Sequence, residues 1–167
     1  AALGDDATPL DARARGHSPR PTVANLSYAD PASHRGGEEL AAAIISQISP
    51  QGEFEDAVLH ERDPAHHVAY ICTLGVCPAF RKHGLATRLL AQLVAHVESE
   101  PHVKALALHV LTTNEVALRF YEGNGFRRLR LLPGFYTIGG RACDAYLYAR
   151  HFHGGAPASS LVQRVLG

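Results

Sequence analysis

The sequence predicts an α/β protein with a mixed central sheet flanked by helices. Two observations support this fold class. Apolar, β-branched runs alternate with segments in which leucine and valine recur every three or four residues. In addition, a strand, a helix and a second strand follow one another between residues 67 and 111, which is the layout of a βαβ unit with parallel strands.

The first third of the chain gives weaker signals. Residues 1–21 are rich in Ala, Asp, Arg, Gly and Pro without periodicity, and they are predicted to be a disordered tail. An apolar run at 22–30 predicts a strand. The run at 38–48 favours a helix at its start but is equally compatible with a strand at its end. A polar connection with some short structure covers 49–67.

The βαβ unit gives the clearest signals. The β-branched and aromatic run HVAYICTLGV at 67–76 is closed by glycine and proline, which predicts a strand. Within 84–98, leucine and valine form one apolar stripe, which predicts an amphipathic helix. The run VKALALHVL at 103–111 predicts a second, buried strand.

A second helix and two further strands complete the predicted elements. The helix follows at TNEVALRFYEGN, and Thr112 with Glu115 three residues later has the form of a capping box. The runs at 126–132 and 142–152 predict strands. These elements belong to one domain.

Length and composition also indicate a single globular domain, predicted at 22–153 and followed by a short amphipathic C-terminal tail at 154–167. Lys+Arg and Asp+Glu are equal at 16 each, and this formal charge of zero argues against a nucleic-acid partner. The three cysteines form no CxxC pair, which favours a reduced, intracellular protein. The chain contains no methionine, so we expect a processed chain or a fragment.

Eleven histidines raise the alternative of a metal site. The pairs His66–His67 and His151–His153 could provide ligands, but no carboxylate or thiol set completes a recognisable spacing. We therefore expect solvated histidines and no metal cofactor.

The turn RKHGLA at 81–86 combines the features of a phosphate-binding site. A helix N-terminus presents unpaired backbone N–H groups and the positive end of the helix dipole. Gly84 lets a ligand approach the backbone because it has no Cβ, and Arg81 and Lys82 add cationic donors. A pyrophosphate group suits this set. On these residues alone, an exposed basic turn stays open as the alternative.

Two motifs taken together resemble the GCN5-related N-acetyltransferase (GNAT) superfamily. The first is R-x-x-G-x-A at 81–86, after a strand, and the second is N-x-x-A-x-x-F-Y-x-x-x-G-F at 114–126. The resemblance implies the acyl-CoA N-acyltransferase fold, in which the βαβ unit binds acetyl-CoA as co-substrate. It also implies an N-terminal helix–loop–helix, which in this chain is absent or divergent.

Within the superfamily, VAYICTLGVCPAFRKHGLATRLL, LHVLTTNEVALRFYEGNGF and LLPGFYTIGG are similar to catalytic subunits of N-terminal acetyltransferases of the Golgi-associated NatF type. This similarity implies direct acetyl transfer, in a ternary complex, to the N-terminal α-amine of Met-starting proteins. It further implies a cytoplasmic location and leaves open the cytosolic face of Golgi membranes as the place of action. Weak membrane contact through the C-terminal tail and a homodimer stay open. A lysine (histone-type) or small-amine acetyltransferase and a non-catalytic acetyl-CoA-binding scaffold are the alternatives.

The resemblance also implies roles for individual residues. Tyr70 and His109, on the two strands of the βαβ unit, would be the base machinery, and Tyr121 would protonate the leaving thiolate. Cys72 and Tyr136 are expected at the acceptor site. The expected cofactor contacts are Leu74, Gly75, Val76, Arg81, Lys82, His83, Gly84, Leu85, Ala86, Thr87, Asn114, Tyr121, Glu122, Gly123 and Asn124.

Several of these residues also have purely structural interpretations. His109 suits a buried core histidine, Tyr121 suits helix packing against the sheet, and Asn114 suits a helix cap. An acetyl-enzyme formed on Cys72 ranks below direct transfer, because no neighbour in the sequence lowers the pKa of its thiol in an evident way.

Overall fold

A computed structural model describes residues 40–54, 57–60 and 63–157 of the protein. Within these residues, five strands and two α-helices form in the order strand, strand, helix, strand, helix, strand, strand. The strands are β1 (Ala42–Pro50), β2 (His67–Val76), β3 (Val103–Leu111), β4 (Arg127–Ile138) and β5 (Arg141–His151), and the helices are α1 (Leu85–Glu98) and α2 (Glu115–Gly123). The predicted tail at 1–21, the predicted strand at 22–30 and residues 158–167 lie outside the described residues.

The sheet is mixed, as the sequence predicts. Its strand order is β1-β2-β3-β5-β4, with β2 and β3 parallel and the other neighbours antiparallel. The strands β2 and β3 have the predicted bounds, and α1 begins one residue later than predicted. The ambiguous run at 38–48 belongs mainly to β1, which begins at Ala42.

Both helices pack on the same face of the sheet. The buried cluster on this face contains Ile71 and Leu108 from the strands, Leu90 and Val94 from α1, and Tyr121 from α2. A smaller cluster covers the opposite face around the segment at 57–60. Among the described residues, no helix is long and apolar enough to cross a membrane.

The parallel strands β2 and β3 separate before they end. Their registered pairs run only from His67 opposite Val103 to Tyr70 opposite Ala107. Beyond Tyr70, β2 continues along β1, whereas β3 continues along β5 as far as Leu111. The two strands therefore open into a space, called here the β2/β3 cleft, at the carboxyl ends of both strands.

A β-bulge in β2 lies at the start of this cleft. Thr73 is opposite Ile45 and Ile71 is opposite Ser46, so Cys72 has no registered partner on β1. A bulge of this kind bends the strand and re-aims the side chains that follow it. The bulge follows closely after Tyr70, the last residue of β2 that is registered with β3.

The hairpin of β4 and β5 is longer than predicted. The fourth strand is predicted to end at residue 132, and the Pro133 and Gly134 that follow are typical turn residues. In the structure, β4 continues to Ile138 through a second irregularity, where residues 133–135 lie opposite Asp144 alone. A proline is tolerated there because β4 is an edge strand and the bulge needs no ladder donor.

The cap of α2 differs from the predicted capping box. Asn114 caps the helix, since its Oδ1 accepts a 3.1 Å hydrogen bond from the backbone N–H of Ala117. The prediction from Thr112 and Glu115 is wrong because the Thr112 N–H still belongs to the sheet and donates to Asp144 O at 3.0 Å. The chain can turn into the helix only after that bond.

Candidate active site

Tyr70 and His109 face each other at the point where the β2/β3 cleft opens. Tyr70 Oη and His109 Nδ1 are 2.9 Å apart, which is hydrogen-bond distance. His109 is only 4% exposed, and Tyr70 is half-buried. The donor of this hydrogen bond depends on the His109 tautomer: a protonated Nδ1 donates to Tyr70 Oη, whereas an unprotonated Nδ1 accepts from the Tyr70 hydroxyl. The structure thus brings together the two residues that the sequence pairs as a base.

Aromatic rings surround this pair. The Phe135 ring stacks on the His109 imidazole with centroids 4.1 Å apart and planes 28° from parallel. Phe54 tilts against Tyr70 at 5.5 Å. Neither phenylalanine is recognisable as a site residue from the sequence, because a position in PGFYTI or on a polar connection indicates no contact with residues so distant in the chain. Each residue of the pair therefore packs against a phenylalanine ring.

The turn at 81–84 and the start of α1 form an open backbone cradle. Gly84 is the N-terminal flanking residue of α1 with φ of 75°, and no side chain of the described residues caps this helix end. A Cβ built at Gly84 would meet no other atom of these residues within 4 Å. The first N–H groups of α1 have no acceptor within the helix, so they are available to an anionic group.

The residues of this turn that are predicted to contact a pyrophosphate differ in their exposure and contacts. Arg81 Nε donates to Val76 O at 3.3 Å, which ties the turn to the end of β2. Lys82 has φ of 64° and is exposed, as is His83. Leu85 and Ala86 are half-buried in the first turn of α1, and Thr87 is exposed. Pyrophosphate contacts of these residues stay predictions.

The end of β2 forms one wall of the cleft. Leu74, Gly75 and Val76 are registered with β1 on one side only, and a Cβ built at Gly75 would meet nothing within 4 Å. The Leu74 side chain is buried under the helices. Burial raises the pKa of the Cys72 thiol, which lowers its thiolate fraction. This shift supports the low rank of an acetyl-enzyme on Cys72.

Tyr121 carries an unpaired hydroxyl in the core. The residue is fully buried, and its Oη has no hydrogen-bond partner among the described residues. Burial raises the pKa of Tyr121 well above 10.0, and nearby Tyr136 adds to this shift. Burial also raises the pKa of Tyr136 to about 12. Because an unpaired buried hydroxyl is costly, this atom indicates a site that a ligand group completes.

The remaining predicted cofactor contacts lie at the two ends of α2. Asn114 caps the N-terminal end, about 13 Å along the helix from its C-terminal end. At that far end, Glu122 accepts a 2.6 Å hydrogen bond from Tyr148 Oη, and Asn124 Nδ2 donates to Phe120 O. These contacts give the residues structural roles. Cofactor contacts of Asn114, Glu122, Gly123 and Asn124 stay predictions.

The histidines do not assemble a metal site in the described part of the chain. No group of three or more His, Cys, Asp and Glu residues at 40–54, 57–60 and 63–157 could hold a metal ion. His66 lies 3.7 Å from Asp63, and His151 Nε2 contacts Val58 O at 3.0 Å. Each of these histidines therefore has a local partner of another kind.

Residues 27–126 match the model of the acetyltransferase (GNAT) family. The chain is 49% identical over 120 residues to N-alpha-acetyltransferase 60 of Xenopus tropicalis, covering 71% of this chain and 50% of that protein. The chain spans about half the length of this relative and of N-alpha-acetyltransferase 60 of Danio rerio, to which it is 38% identical over 130 residues.

Solved structures agree with this match. One is Arabidopsis thaliana NAA60 in complex with a bisubstrate analogue, with a TM-score of 0.65, 33% identity, and coverage of 73% of this chain and 71% of that chain. Another is the same Arabidopsis protein in complex with acetyl-CoA, with a TM-score of 0.64, 32% identity, and coverage of 77% and 72%. These likenesses confirm the predicted fold class.

Proposed function

The chain belongs to the acetyltransferase (GNAT) family, and from this premise we propose that it transfers acetyl from acetyl-CoA to protein N-terminal α-amines. The observation that carries the proposal is the 2.9 Å contact between Tyr70 and His109 at the opening of the β2/β3 cleft. Similarity to N-alpha-acetyltransferase 60 favours an α-amine as the acceptor.

The residues present are compatible with acetyl-CoA. The open cradle at Gly84 provides backbone donors for a pyrophosphate, and Lys82 adds a cation nearby. The cleft between β2 and β3 provides a channel for an extended arm. The Tyr121 hydroxyl lacks a hydrogen-bond partner among the described residues, as expected for a group that a ligand completes. Acetyl-CoA, when bound, supplies an activated thioester carbonyl and a thiolate leaving group.

Proton removal is the first task of the protein. An α-amine has a pKa near 8, so a modest base at the cleft is sufficient to generate the nucleophile. Tyr70 and His109 can accept this proton as a connected pair. If His109 takes the proton at Nε2, the neutral ring carries its own proton on Nδ1, and Nδ1–H donates to Tyr70 Oη.

Charge stabilisation and proton return are the other tasks. The backbone at the end of β2, from Leu74 to Val76, lies on one wall of the cleft and can donate N–H groups to a developing oxyanion. Tyr121 holds a proton firmly because burial raises its pKa. A hydroxyl of this kind can donate a hydrogen bond to the departing thiolate as the sulfur takes up a proton, and Tyr121 regains its own proton from solvent, to which the Tyr70–His109 pair releases the proton taken from the amine. In direct transfer the acceptor amine is itself the nucleophile, so the protein supplies none.

Two peptides of matched composition test this proposal. The first starts with Met, has a free α-amine and contains no lysine, and the second is N-blocked with one internal lysine. We expect acetyl-CoA-dependent acetylation of the first peptide only, located on the α-amine by fragment-ion mass spectrometry. Acetylation of the lysine alone would establish the lysine alternative instead.

A thermal shift with coenzyme A separates the enzyme from a scaffold. A ligand that binds the native state raises the melting temperature. We expect a rise for the protein, a smaller rise for Arg81→Ala, and an unchanged rise for Arg128→Ala, a matched control outside the turn. A shift without turnover of either peptide would favour the non-catalytic scaffold. No shift at all would remove the basis of the proposal.

Location and assembly stay predictions. The C-terminal segment that motivates membrane contact extends beyond the described residues, which end at 157. Action at Golgi membranes and a homodimer follow only from the sequence resemblance.

A further inference from the structure

Phe135 connects the edge of the sheet to the candidate catalytic histidine. Opposite the single residue Asp144 of β5, β4 places three residues, 133–135. This irregularity re-aims the strand's side chains. As a result, the Phe135 ring lies on the His109 imidazole, with centroids 4.1 Å apart and planes 28° from parallel.

Asp144 holds this irregular segment against the strand that carries His109. Its Oδ1 accepts a 2.8 Å hydrogen bond from the Gly134 N–H, and its backbone oxygen accepts one from the Thr112 N–H just after β3. Gly134 has φ of 62°, in the left-handed region that favours glycine. These contacts fix the backbone position from which the Phe135 side chain extends.

The contacts on His109 restrict different motions of its ring. The terminal torsion of a histidine side chain is broad, so packing must select its angle. The hydrogen bond to Tyr70 holds Nδ1, and a rotation about that contact would tilt the ring. A stacked ring from Phe135 opposes the tilt, because tilting would break the face-to-face contact.

We propose that Phe135 is a positioning residue for acetyl transfer, and that Asp144 and Gly134 hold it on His109. Phe135 sets the plane of the imidazole, and Tyr70 then meets Nδ1 at hydrogen-bond distance. This inference rests on the proposed function, because it gives Phe135 a role in the proton transfer that His109 performs.

Kinetics of conservative variants give the first test. Phe135→Leu keeps apolar volume but loses the stacked ring, so we expect kcat to fall about three- to tenfold. The Kd for acetyl-CoA and the melting temperature should stay close to those of the wild type. Phe135→Tyr keeps the ring and should keep kcat. Leu131→Ala, at an exposed position of the same strand, is the control. Wild-type kcat in Phe135→Leu would overturn the inference.

A double-mutant cycle tests the role of Asp144. Asp144→Ala removes the bond to Gly134 and should lower kcat in the same direction as Phe135→Leu. If Asp144 acts through Phe135, the double variant should be no slower than Phe135→Leu alone. If the fold loss of kcat in the double variant equals the product of the losses in the two single variants, this part of the proposal is overturned.

Nuclear magnetic resonance separates this inference from the proposed function. The His109 ring stacks on the Phe135 ring with centroids 4.1 Å apart, so the Phe135 ring current should shift the signals of the carbon-bound imidazole protons upfield in the protein without ligand. Phe135→Leu should remove that shift, whereas Phe135→Tyr should retain it. Signals that do not move would overturn the stacking. The His109 signals could also move in Phe135→Leu while the wild-type protein transfers no acetyl group. That result would confirm the contact between the rings but overturn the proposed function and the positioning role that rests on it.

Discussion

Removing one hydroxyl should make the protein more stable and less active. Tyr121 Oη is buried without a hydrogen-bond partner among the described residues, and its ring packs edge-on against Phe120 and Phe126 at 5.2 and 5.4 Å. Tyr121→Phe keeps the ring and removes only the unpaired polar atom. The packing of α2 on the sheet should therefore stay intact.

The magnitude follows from the desolvation cost of that atom. An unpaired buried hydroxyl costs about 1–3 kcal/mol, so its removal should raise the free energy of unfolding by at least about 1 kcal/mol. For a chain of this size, about 1 kcal/mol corresponds to a melting temperature higher by about 2–4 °C. The same hydroxyl is the proposed proton donor to the thiolate. We therefore expect kcat to fall about 10²-fold with little change in acetyl-CoA affinity.

Urea unfolding of the ligand-free protein and steady-state turnover measure the two effects. Tyr148→Phe is the matched control for stability, because its hydroxyl donates a 2.6 Å bond to Glu122 and its loss should cost about 1 kcal/mol. Destabilisation by Tyr121→Phe would show that the Tyr121 hydroxyl has a partner in the folded protein. Wild-type kcat in that variant would refute its role as a proton donor and leave Tyr121 as a packing residue.

Three further predictions follow from the geometry. Gly84→Val should lower the free energy of unfolding by about 1–2 kcal/mol because Gly84 has φ of 75°, and it should raise the Kd for acetyl-CoA measured by calorimetry. The control Gly139→Val, at φ of 55°, should introduce a similar strain but leave that Kd unchanged. Burial raises the pKa of Tyr136 from 10.0 to about 12, so the folded state holds this proton more tightly than the unfolded chain. The free energy of unfolding should fall as pH rises from about 10 to about 12, and Tyr136→Phe should make that fall shallower by up to about 1.4 kcal/mol per pH unit in urea titrations. Asn114→Ala should destabilise by about 1 kcal/mol in the same assay, and Asn114→Asp should not.

The βαβ unit could be predicted from the sequence because its signals are local. Leucine and valine repeat with a clear period in α1, and glycine and proline mark the ends of β2 and α1. Parallel pairing follows from the short helical connection between β2 and β3. Tyr70 and His109 could therefore be assigned to neighbouring strands before any coordinates.

The contacts around that pair could not be predicted, because they depend on register between distant segments. Pro133 and Gly134 indicate a turn locally, yet pairing with β5 keeps them within an edge strand. The position of Phe135 over His109 depends on this irregular register and on the Asp144 contact. The sequence does offer Asn114 as a helix cap, and the sheet bond that Thr112 keeps explains why Asn114 rather than Thr112 caps α2.

The central claim is that His109 and Tyr70 remove the proton from the acceptor amine. It is tested most directly by kcat for α-amine acetylation of a Met-starting peptide by His109→Ala, at saturating acetyl-CoA. We predict a fall of about 10²- to 10⁴-fold, with the Kd for acetyl-CoA unchanged, because a general base contributes on this order. Wild-type turnover by His109→Ala would contradict the claim.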